Sequence, residues 1–382
     1  MGTIEGRSAP STLPAFRTSG GNLPFEITSF VGRRRELSEA KSLLATARLL
    51  TLAGMGGVGK TRLALRVAAD TRRRFADGVW LIELSEVHDP SLLLDVVTSS
   101  LGIRDRTARP VEDALVEFLA ARDTLLVLDN CEQVVEAVAG LVRILLQTCP
   151  GIRVLATSRE PLGIGGEIVF RLPPLTNPDT GQSHSLLGLA KYDAVALFEQ
   201  RAAAVVPGFE LTEASCGTVT EICRRLEGIP LAIELAAARL RMMSLEQLLQ
   251  RLTDRFTLLT LGERTAPSRQ QTLRLSVDWS HELCTPLERM VWARASVFAG
   301  GFELDDAEGV CGDGFTPAQV VDAVTSLVDK SVLLRGSLGT VVRFRMLETV
   351  REYGLDELRR SDDLETTRRR HREWFLSPIP FS

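Results

Sequence analysis

The fold of this chain of 382 residues is decided by the stretch LLTLAGMGGVGKT, residues 49–61. Its first five residues form a short apolar run of the kind that builds a buried strand. Its last eight residues match the pattern G-x-x-x-x-G-K-S/T in full. Residues 61–70 then carry apolar side chains at helical spacing. A strand, a glycine-rich turn and a helix in this order predict a loop that binds phosphate groups.

The residues of this loop have separate predicted tasks at a nucleotide. The backbone is expected to face the phosphates at Gly54, Met55, Gly56, Gly57, Val58 and Gly59. Lys60 can reach the β- and γ-phosphates, and the Thr61 hydroxyl is a candidate ligand for Mg²⁺. Arg62, the next residue, is included in the predicted site. Only four of the 45 Lys and Arg residues are lysine, and a compact ammonium suits this task better than a planar guanidinium.

A second motif ends the apolar run 124–128. Asp129 follows that run, so its carboxylate is expected at the C-terminal edge of a parallel sheet, where it could hold Mg²⁺. The alternative is that Asp129 caps the next helix. Many hydrolytic P-loop proteins carry a second carboxylate at the next position, which here is Asn130. Because a missing general base lowers a rate by roughly 10²- to 10⁴-fold, we expect slow hydrolysis unless Glu132 or a group from another molecule replaces it.

Short apolar runs alternate with amphipathic stretches between residues 25 and 174. The predicted strands are Leu49–Ala53, Val79–Leu84, Leu125–Asp129, Ile152–Thr157 and Ile168–Leu172. Strands that alternate with helices predict a parallel sheet covered on both faces, and hence an α/β P-loop NTPase domain.

The rest of the chain divides by composition. Residues 1–24 are expected to be a flexible leader and residues 175–185 a linker. An all-α helical subdomain is predicted over residues 186–265. Residues 266–347 are interpreted as a winged-helix domain, because helices pass into two apolar runs, 331–335 and 341–345, joined by hairpin residues. Residues 348–382 are predicted to form C-terminal helices that begin a helical-repeat region.

Composition and charge exclude several classes of protein. The chain is 45% apolar and carries a formal net charge of -4, which disfavours general attraction to nucleic acid or anionic membranes. No apolar run approaches the roughly 20 residues of a membrane-spanning helix. The six cysteines form no C-x-x-C pair, so they are expected to be reduced and mostly buried. A cytoplasmic location is the resulting prediction.

These motifs, taken in order over about residues 22–376, resemble the STAND class of signal-transduction P-loop ATPases. The resemblance is to NB-ARC-like proteins, in the bacterial branch found within AfsR-type and LuxR-type transcriptional regulators. The sequence TSFVGR, residues 28–33, with Glu36 and Leu37 resembles the adenine-side motif of that class. This implies that Val31 and Arg33 contribute to the nucleotide site.

Other segments extend the resemblance. Thr157-Ser158-Arg159-Glu160 resembles sensor 1, which implies that Arg159 approaches the terminal phosphate. The sequence GIPLA, residues 228–232, resembles a motif whose proline, here Pro230, packs against the nucleotide. Residues 327–331 and 346–353 resemble the winged-helix part. At 346–348, however, this chain has Met-Leu-Glu, so the histidine of the eukaryotic Met-His-Asp triplet has no counterpart.

The residues alone support these assignments unequally. Arg159 ends a predicted strand and is therefore expected at the nucleotide edge of the sheet. Without the resemblance, Pro230 is only a helix start, and Arg33 belongs to a solvated charge run.

The resemblance implies a switch that binds ATP or ADP with Mg²⁺, hydrolyses ATP slowly with Lys60, Asp129 and Arg159 as catalytic residues, and serves a regulatory, transcription-related protein. Protein partners or self-association on activation are expected. Two alternatives remain: a constitutively active ATPase, and a transcriptional regulator that binds DNA through its winged helix. Charge disfavours the second, because residues 269–360 contain eleven Lys and Arg against fourteen Asp and Glu.

Overall fold

The computed structural model describes residues 20–25, 29–103, 110–178, 186–252, 273–338 and 341–376. The α/β domain contains a five-stranded parallel sheet with the strand order β2-β3-β4-β1-β5. Its strands are β1 (Leu49–Ala53), β2 (Val79–Glu83), β3 (Thr124–Asp129), β4 (Ile152–Ser158) and β5 (Glu167–Arg171). All five predicted strands are therefore confirmed to within one residue at each end, and so is the α/β fold class.

Helices cover both faces of this sheet because its central strands are apolar on both sides. The helices are α1 (Arg34–Thr46), α2 (Lys60–Thr71), α3 (Leu93–Ser100), α4 (Val111–Ala120) and α5 (Val135–Thr148). Leu50 and Leu52 belong to the core that includes α1 and α2. Leu49 and Val154 belong to the core on the other face, which includes α3, α4 and α5. The alternation of neighbouring residues between two cores is what a strand's period of two requires.

Residues 20–22 lie along the edge strand β2. Gly21 forms a parallel bridge with Val79. The side chain of Asn22 donates to the carbonyl of Leu81 (2.9 Å) and accepts from its backbone N–H (2.6 Å). Unpaired backbone groups of an edge strand favour such pairing. The flexible leader expected over residues 1–24 is therefore wrong at these positions, while residues 1–19 lie outside the described ones.

The next described segment, residues 186–252, is called the helical region here. It contains α6 (Leu186–Leu189), α7 (Asp193–Val205), α8 (Glu213–Arg225), α9 (Pro230–Arg239) and α10 (Leu245–Arg251). Thr212 and Ser244 form capping boxes at the starts of α8 and α10, and Pro230 starts α9 at its first turn. The predicted end of the helical subdomain, at residue 265, lies outside the described residues.

Residues 273–338 and 341–376 are called the C-terminal region. Its helices are α11 (Leu273–Glu282), α12 (Pro286–Ala295), α13 (Leu304–Cys311), α14 (Pro317–Asp329), α15 (Glu348–Arg360) and α16 (Leu364–Leu376). Strands β6 (Leu334–Leu338) and β7 (Val341–Arg345) form an antiparallel pair between α14 and α15. Helices followed by this pair match the predicted order of elements, and the winged-helix interpretation stays a prediction.

The first strand of this pair begins three residues later than predicted. Ser331 has a left-handed backbone, with φ of 58°, and the N–H groups of Val332 and Leu333 both donate to the carbonyl of Leu327. Both bonds satisfy the carbonyl of Leu327 in the last turn of α14. Residues 331–333 therefore close the end of α14, and the strand pairing starts only at Leu334.

Two further expectations concern the described residues as a whole. Among them, no helix is long and apolar enough to cross a bilayer. All six cysteines are free, and all but Cys216 are buried, as the sequence predicted.

Candidate functional site

The glycine-rich loop Gly54–Thr61 connects β1 to α2 at the C-terminal edge of the sheet. Gly57 and Gly59 have left-handed φ values of 80° and 96°, which side chains rarely adopt. A Cβ at Gly57 would lie 3.0 Å from the Cβ of Leu231, so α9 approaches the loop closely. The N–H of Leu231 donates to the carbonyl of Gly57 over 3.2 Å. The loop therefore has the strand–turn–helix setting predicted, with the helical region directly on it.

Lys60 lies in this loop. Among the described residues, its ammonium forms no hydrogen bond with a carboxylate. Its Nζ donates to the carbonyls of Gly54 (2.7 Å) and Met55 (3.1 Å). Burial lowers the pKa of Lys60 to about 8, although Glu132 and Asp129 oppose this effect. A partly buried cation whose hydrogen bonds, among the described residues, go to neutral carbonyls is well suited to receive an anion.

Asp129 ends β3 beside Thr61. Its Oδ1 accepts from the hydroxyls of Thr61 (2.7 Å) and Thr157 (2.5 Å). Burial raises the pKa of Asp129, while the two hydroxyl hydrogen bonds oppose the rise. Its side chain caps neither the following turn nor α5, so the capping alternative is wrong.

The oxygens of Thr61 and Asp129 fit a magnesium ion bound together with phosphate. Hydroxyl and carboxylate oxygens are the ligands that Mg²⁺ prefers, and it usually takes only one or two from protein at phosphate sites. Within the described ranges, no group of three or more His, Cys, Asp or Glu side chains could hold a metal alone. The pair is thus suited to an ion that phosphate oxygens complete.

Asn130 turns the chain immediately after β3. Its backbone is left-handed, with φ of 62° and ψ of 54°, and its N–H donates to Thr157 Oγ1 over 3.0 Å. A single 3₁₀ turn, Cys131–Gln133, follows. This turn directs Glu132 into the protein, where only 4% of its surface is exposed.

Glu132 meets Arg159 at the end of β4. Arg159 is also buried, and its Nε lies 3.3 Å from Glu132 Oε1. Its Nη1 donates to the hydroxyl of Ser280 in α11, and its carbonyl accepts from the hydroxyl of Ser331 over 3.0 Å. Arg159 therefore lies where the α/β domain meets the C-terminal region. It is close enough to Lys60 to lower the pKa of that lysine.

The remaining predicted residues support the loop from its other side. The guanidinium of Arg33 donates to the carbonyl of Val58 (2.8 Å), and its N–H donates to Asp193 (2.8 Å). Arg33 is therefore buried against the loop and not part of a solvated charge run. Pro230 lies over Gly59, with its Cγ 3.8 Å from where a Cβ would be.

Arg62 points away from the loop. Its Nη1 forms an ion pair with Glu234 of α9 (2.9 Å), and its Nη2 donates to the carbonyl of Ser29 (3.1 Å). Its side chain therefore joins the α/β domain to the helical region.

Val31 lines a large open cleft next to the loop. The cleft has a volume of about 1040 Å³, and its walls include Phe30, Pro173, Lys191 and Asp193. Its described lining contains no residue of Gly54–Thr61. The structure thus places Val31 at a cleft between the α/β domain and α7, which the described residues of the glycine-rich loop do not line.

Sequence reasoning missed Ser280, Ser331, Thr157 and Asp193. Ser280 and Ser331 are 121 and 172 residues from Arg159 in sequence. No local pattern marks Ser280, and the motif 327–331 gives no indication that Ser331 contacts Arg159. Thr157 alone had a signal, because it lies at the end of the strand next to β3.

Comparisons with known proteins identify a matching family and several relatives. A family model of the NB-ARC domain matches residues 35–162. The chain is 37% identical over 358 residues to the Mycobacterium tuberculosis protein Rv0894, an alignment that covers 92% of this chain and 87% of that protein.

Longer regulators match as well. The chain is 42% identical over 338 residues to Rv0890c of Mycobacterium tuberculosis, whose name describes an HTH-type transcriptional regulator. That alignment covers 88% of this chain but 36% of the regulator, so this chain spans about a third of its length. The regulatory protein AfsR of Streptomyces coelicolor is 28% identical over 360 residues, covering 87% of this chain and 32% of AfsR.

One solved structure shares the fold. A Walker-type ATPase of Pyrococcus abyssi superposes with a TM-score of 0.53 at 12% identity, over 86% of this chain and 96% of that one. At this identity the likeness concerns the fold alone.

Proposed function

Because the chain belongs to the STAND class of P-loop ATPases that carry an NB-ARC domain, we propose that it is a signal-transduction switch controlled by ATP and ADP. The nucleotide would bind at Gly54–Thr61 and hold the α/β domain, the helical region and the C-terminal region together. Exchange of ADP for ATP, or slow hydrolysis, would then shift the population between closed and open arrangements. Its output would serve a bacterial, transcription-related regulator, as the names of two relatives suggest.

The observation that carries this proposal is the convergence of all three regions on the phosphate loop. From the helical region, Leu231 bonds the loop at Gly57. From the C-terminal region, Ser280 and Ser331 bond Arg159 at the same edge of the sheet. A ligand in this position would contact groups that are bonded to each of the three regions. Ligand binding and the arrangement of the three regions would therefore be coupled.

Two outer contacts support the same closed arrangement. Arg171 at the end of β5 pairs with Asp329 of α14 over 2.7 Å. The N–H of Thr349, at the start of α15, donates to Glu227 of the helical region over 3.0 Å. These contacts are few and partly exposed. A nucleotide at about 1,000 times its Kd would add roughly 4 kcal/mol to the arrangement that binds it, which is enough to decide between closed and open.

Each residue of the site would have a stated task. Lys60 and the loop N–H groups would bind the phosphates, and Arg33 would brace the loop through Val58. Thr61 and Asp129 would hold Mg²⁺, which when bound neutralises charge on the phosphate oxygens. Val31 and Pro230 would border the base and sugar, and the backbone of Arg62 would follow the loop. Arg159 would approach the terminal phosphate.

The C-terminal region is poorly suited to bind DNA directly. Lys330, which ends α14, donates to Glu288 (2.8 Å) and to the carbonyl of Leu283 (3.0 Å). Asp322 is exposed on the same helix. Since affinity for DNA depends on neutralised phosphates, we propose that the output passes through protein contacts or self-association instead.

Hydrogen exchange of the whole chain would test the switch. With ADP bound, the backbone amides of Ser331 and Thr349 should exchange more slowly than with a non-hydrolysable ATP analogue. Residues 135–148 of α5, on the far face of the sheet, are the internal control and should not change. Equal exchange in both nucleotide states would contradict the switch.

Turnover separates the switch from a constitutively active ATPase. The switch predicts slow hydrolysis by the chain alone. Rapid multiple turnover that disappears in Lys60→Ala would favour the second function.

A further inference from the structure

We propose that Glu132 is the carboxylate that orients and deprotonates the attacking water when this chain hydrolyses ATP. The inference rests on the proposed function. It assigns to Glu132 a task that Asn130, an amide, cannot perform, because an amide side chain does not accept a proton at neutral pH.

The backbone brings Glu132 to the edge of the sheet where the phosphate loop lies. The left-handed turn at Asn130 and the 3₁₀ turn Cys131–Gln133 reverse the chain directly after β3. Strand β4 is the parallel neighbour of β3, so Arg159 at its end lies at the same edge. The 3.3 Å contact between Arg159 Nε and Glu132 Oε1 fixes one carboxylate oxygen there.

The other carboxylate oxygen is the decisive feature. Glu132 Oε2 is buried, and no hydrogen-bond partner is found for it among the described residues. Buried polar groups almost always have a partner, since an unsatisfied one costs free energy. The N–H groups of the 3₁₀ turn and the side chain of Arg159 do not supply that partner, so a ligand or a water molecule at the site would.

A buried glutamate in the C-terminal region shows what a structural role looks like. Glu288 Oε1 accepts from Ser326 (2.6 Å), and Oε2 accepts from both Lys330 and the N–H of Thr285 (each 2.8 Å). Both oxygens are therefore satisfied by protein. An ion pair that served only stability would be expected to resemble Glu288 and not Glu132.

The carboxylate of Glu132 also acts electrostatically on Lys60, the lysine proposed to bind phosphate. Of the charged groups that act on the pKa of Lys60, Glu132 has the largest effect, ahead of Arg159 and Asp129. Its carboxylate is therefore close to where Lys60 would meet the phosphates.

The proposed step transfers the γ-phosphoryl group of ATP to water. The oxygen of water attacks the γ-phosphorus, and the bond from that phosphorus to the β–γ bridging oxygen breaks, leaving its electron pair on ADP. The proton of the water passes to Glu132 Oε2 and then returns to the released phosphate. Arg159 acts as a positioning residue for Glu132, and Ser280 and Ser331 hold Arg159 in turn.

The test compares Glu132→Gln with Glu136→Gln in the whole chain. Glu136 lies four residues later and is exposed at the start of α5, so it undergoes the same chemical change without a role at the site. For both variants and the unaltered chain, ADP and ATP affinities, single-turnover hydrolysis of radiolabelled ATP and thermal melting are measured. Glu132→Gln should hydrolyse roughly 10²- to 10⁴-fold more slowly while its nucleotide affinities stay within about threefold. Glu136→Gln should match the unaltered chain.

Other results of these measurements would contradict either the role of Glu132 or the proposed function. Unchanged hydrolysis in Glu132→Gln would overturn this inference and leave the switch intact. Parallel loss of affinity, melting temperature and hydrolysis would also overturn it, because that pattern indicates a structural ion pair. ATP binding without any hydrolysis by the unaltered chain would remove the reaction and the inference together. Failure of the unaltered chain to bind ADP or ATP would instead contradict the proposed function itself.

Discussion

Lys60 and Lys330 are both partly buried, and their surroundings differ. Lys330 donates to a carboxylate, Glu288, whose oxygens are both satisfied. Burial would lower the pKa of Lys330, but the hydrogen bond and charge of Glu288 outweigh burial and raise it. Lys60 bonds two neutral carbonyls, and burial lowers its pKa to about 8. Lys330 therefore stabilises the folded C-terminal region, whereas Lys60 lies in a site where protein groups alone do not satisfy every polar atom.

The difference teaches how a structural charge can be distinguished from a functional one. Both clusters are buried, and both combine a lysine with acidic side chains and hydroxyls. Around Lys330 every charged oxygen of Glu288 has a protein partner, whereas near Lys60 one oxygen of Glu132 has none among the described residues. A protein keeps the free-energy cost of an unsatisfied buried oxygen where a ligand satisfies that oxygen.

The largest expected effect is on stability, from Lys330→Met. Because the variant leaves the buried carboxylate of Glu288 without its cation, the free energy of unfolding should fall by about 3–5 kcal/mol, measured by urea denaturation. The control is Lys41→Met, which breaks the partly exposed pair with Asp70 and should cost about 1 kcal/mol or less. Equal losses in the two variants would show that the Lys330 cluster is not structural.

Lys60→Ala should weaken ADP binding without destabilising the folded protein. Loss of a charged hydrogen-bond donor to phosphate is expected to cost about 1.5–3 kcal/mol of ADP binding, a decrease in affinity of roughly 10- to 10²-fold. The melting temperature of the free protein should not fall, because the lysine has no carboxylate bond to lose. Calorimetric titration with ADP and a thermal melt measure the two quantities. A destabilised variant that binds ADP normally would reverse the assignment of the two lysines.

Gly57→Ala tests the contact between the loop and the helical region. The variant places a Cβ 3.0 Å from Leu231 at a φ of 80°. Gly102→Ala is the matched control, since Gly102 has a φ of 70° but nothing within 4 Å of its Cβ position. Both should lose about 1–2 kcal/mol of unfolding free energy from backbone strain. Only Gly57→Ala should also weaken ADP binding, and equal ADP affinities would refute a role for the Leu231 contact.

The smallest effect is expected from Arg171→Ala. Its pair with Asp329 is exposed by 44% and 46%, so the loss in unfolding free energy should stay below about 1 kcal/mol. Arg224→Ala, which removes a pair within α8, is the control for a local change. Arg171→Ala alone should speed hydrogen exchange at the end of α14. Identical exchange in both variants would mean that this pair does not hold the regions together.

Local features of the sequence were sufficient to predict most of the sheet and the phosphate loop. Strand, turn and helix around Gly54–Thr61 follow from neighbouring residues, and the rule that parallel strands end at one edge places Asp129 correctly beside Thr61. The resemblance to the STAND class, drawn from several motifs in order, is confirmed by the NB-ARC match.

Long-range contacts could not be predicted in this way. Two partners of Arg159, Ser280 and Ser331, lie more than 100 residues away in sequence, and nothing near Ser280 marks it. The start of β6 was predicted too early because a serine in a left-handed conformation, Ser331, ends α14 where glycine would be the usual signal. Likewise, only the folded sheet shows that Asn22 finds an edge strand to pair with.

The central claim is that the loop around Lys60 binds an adenine nucleotide. The most direct measurement is to denature the purified chain and its Lys60→Ala variant and to identify the released nucleotide by chromatography. We predict close to one equivalent of ADP or ATP from the chain and much less from the variant. If the chain releases no nucleotide and also binds neither ADP nor ATP on titration, the claim is contradicted.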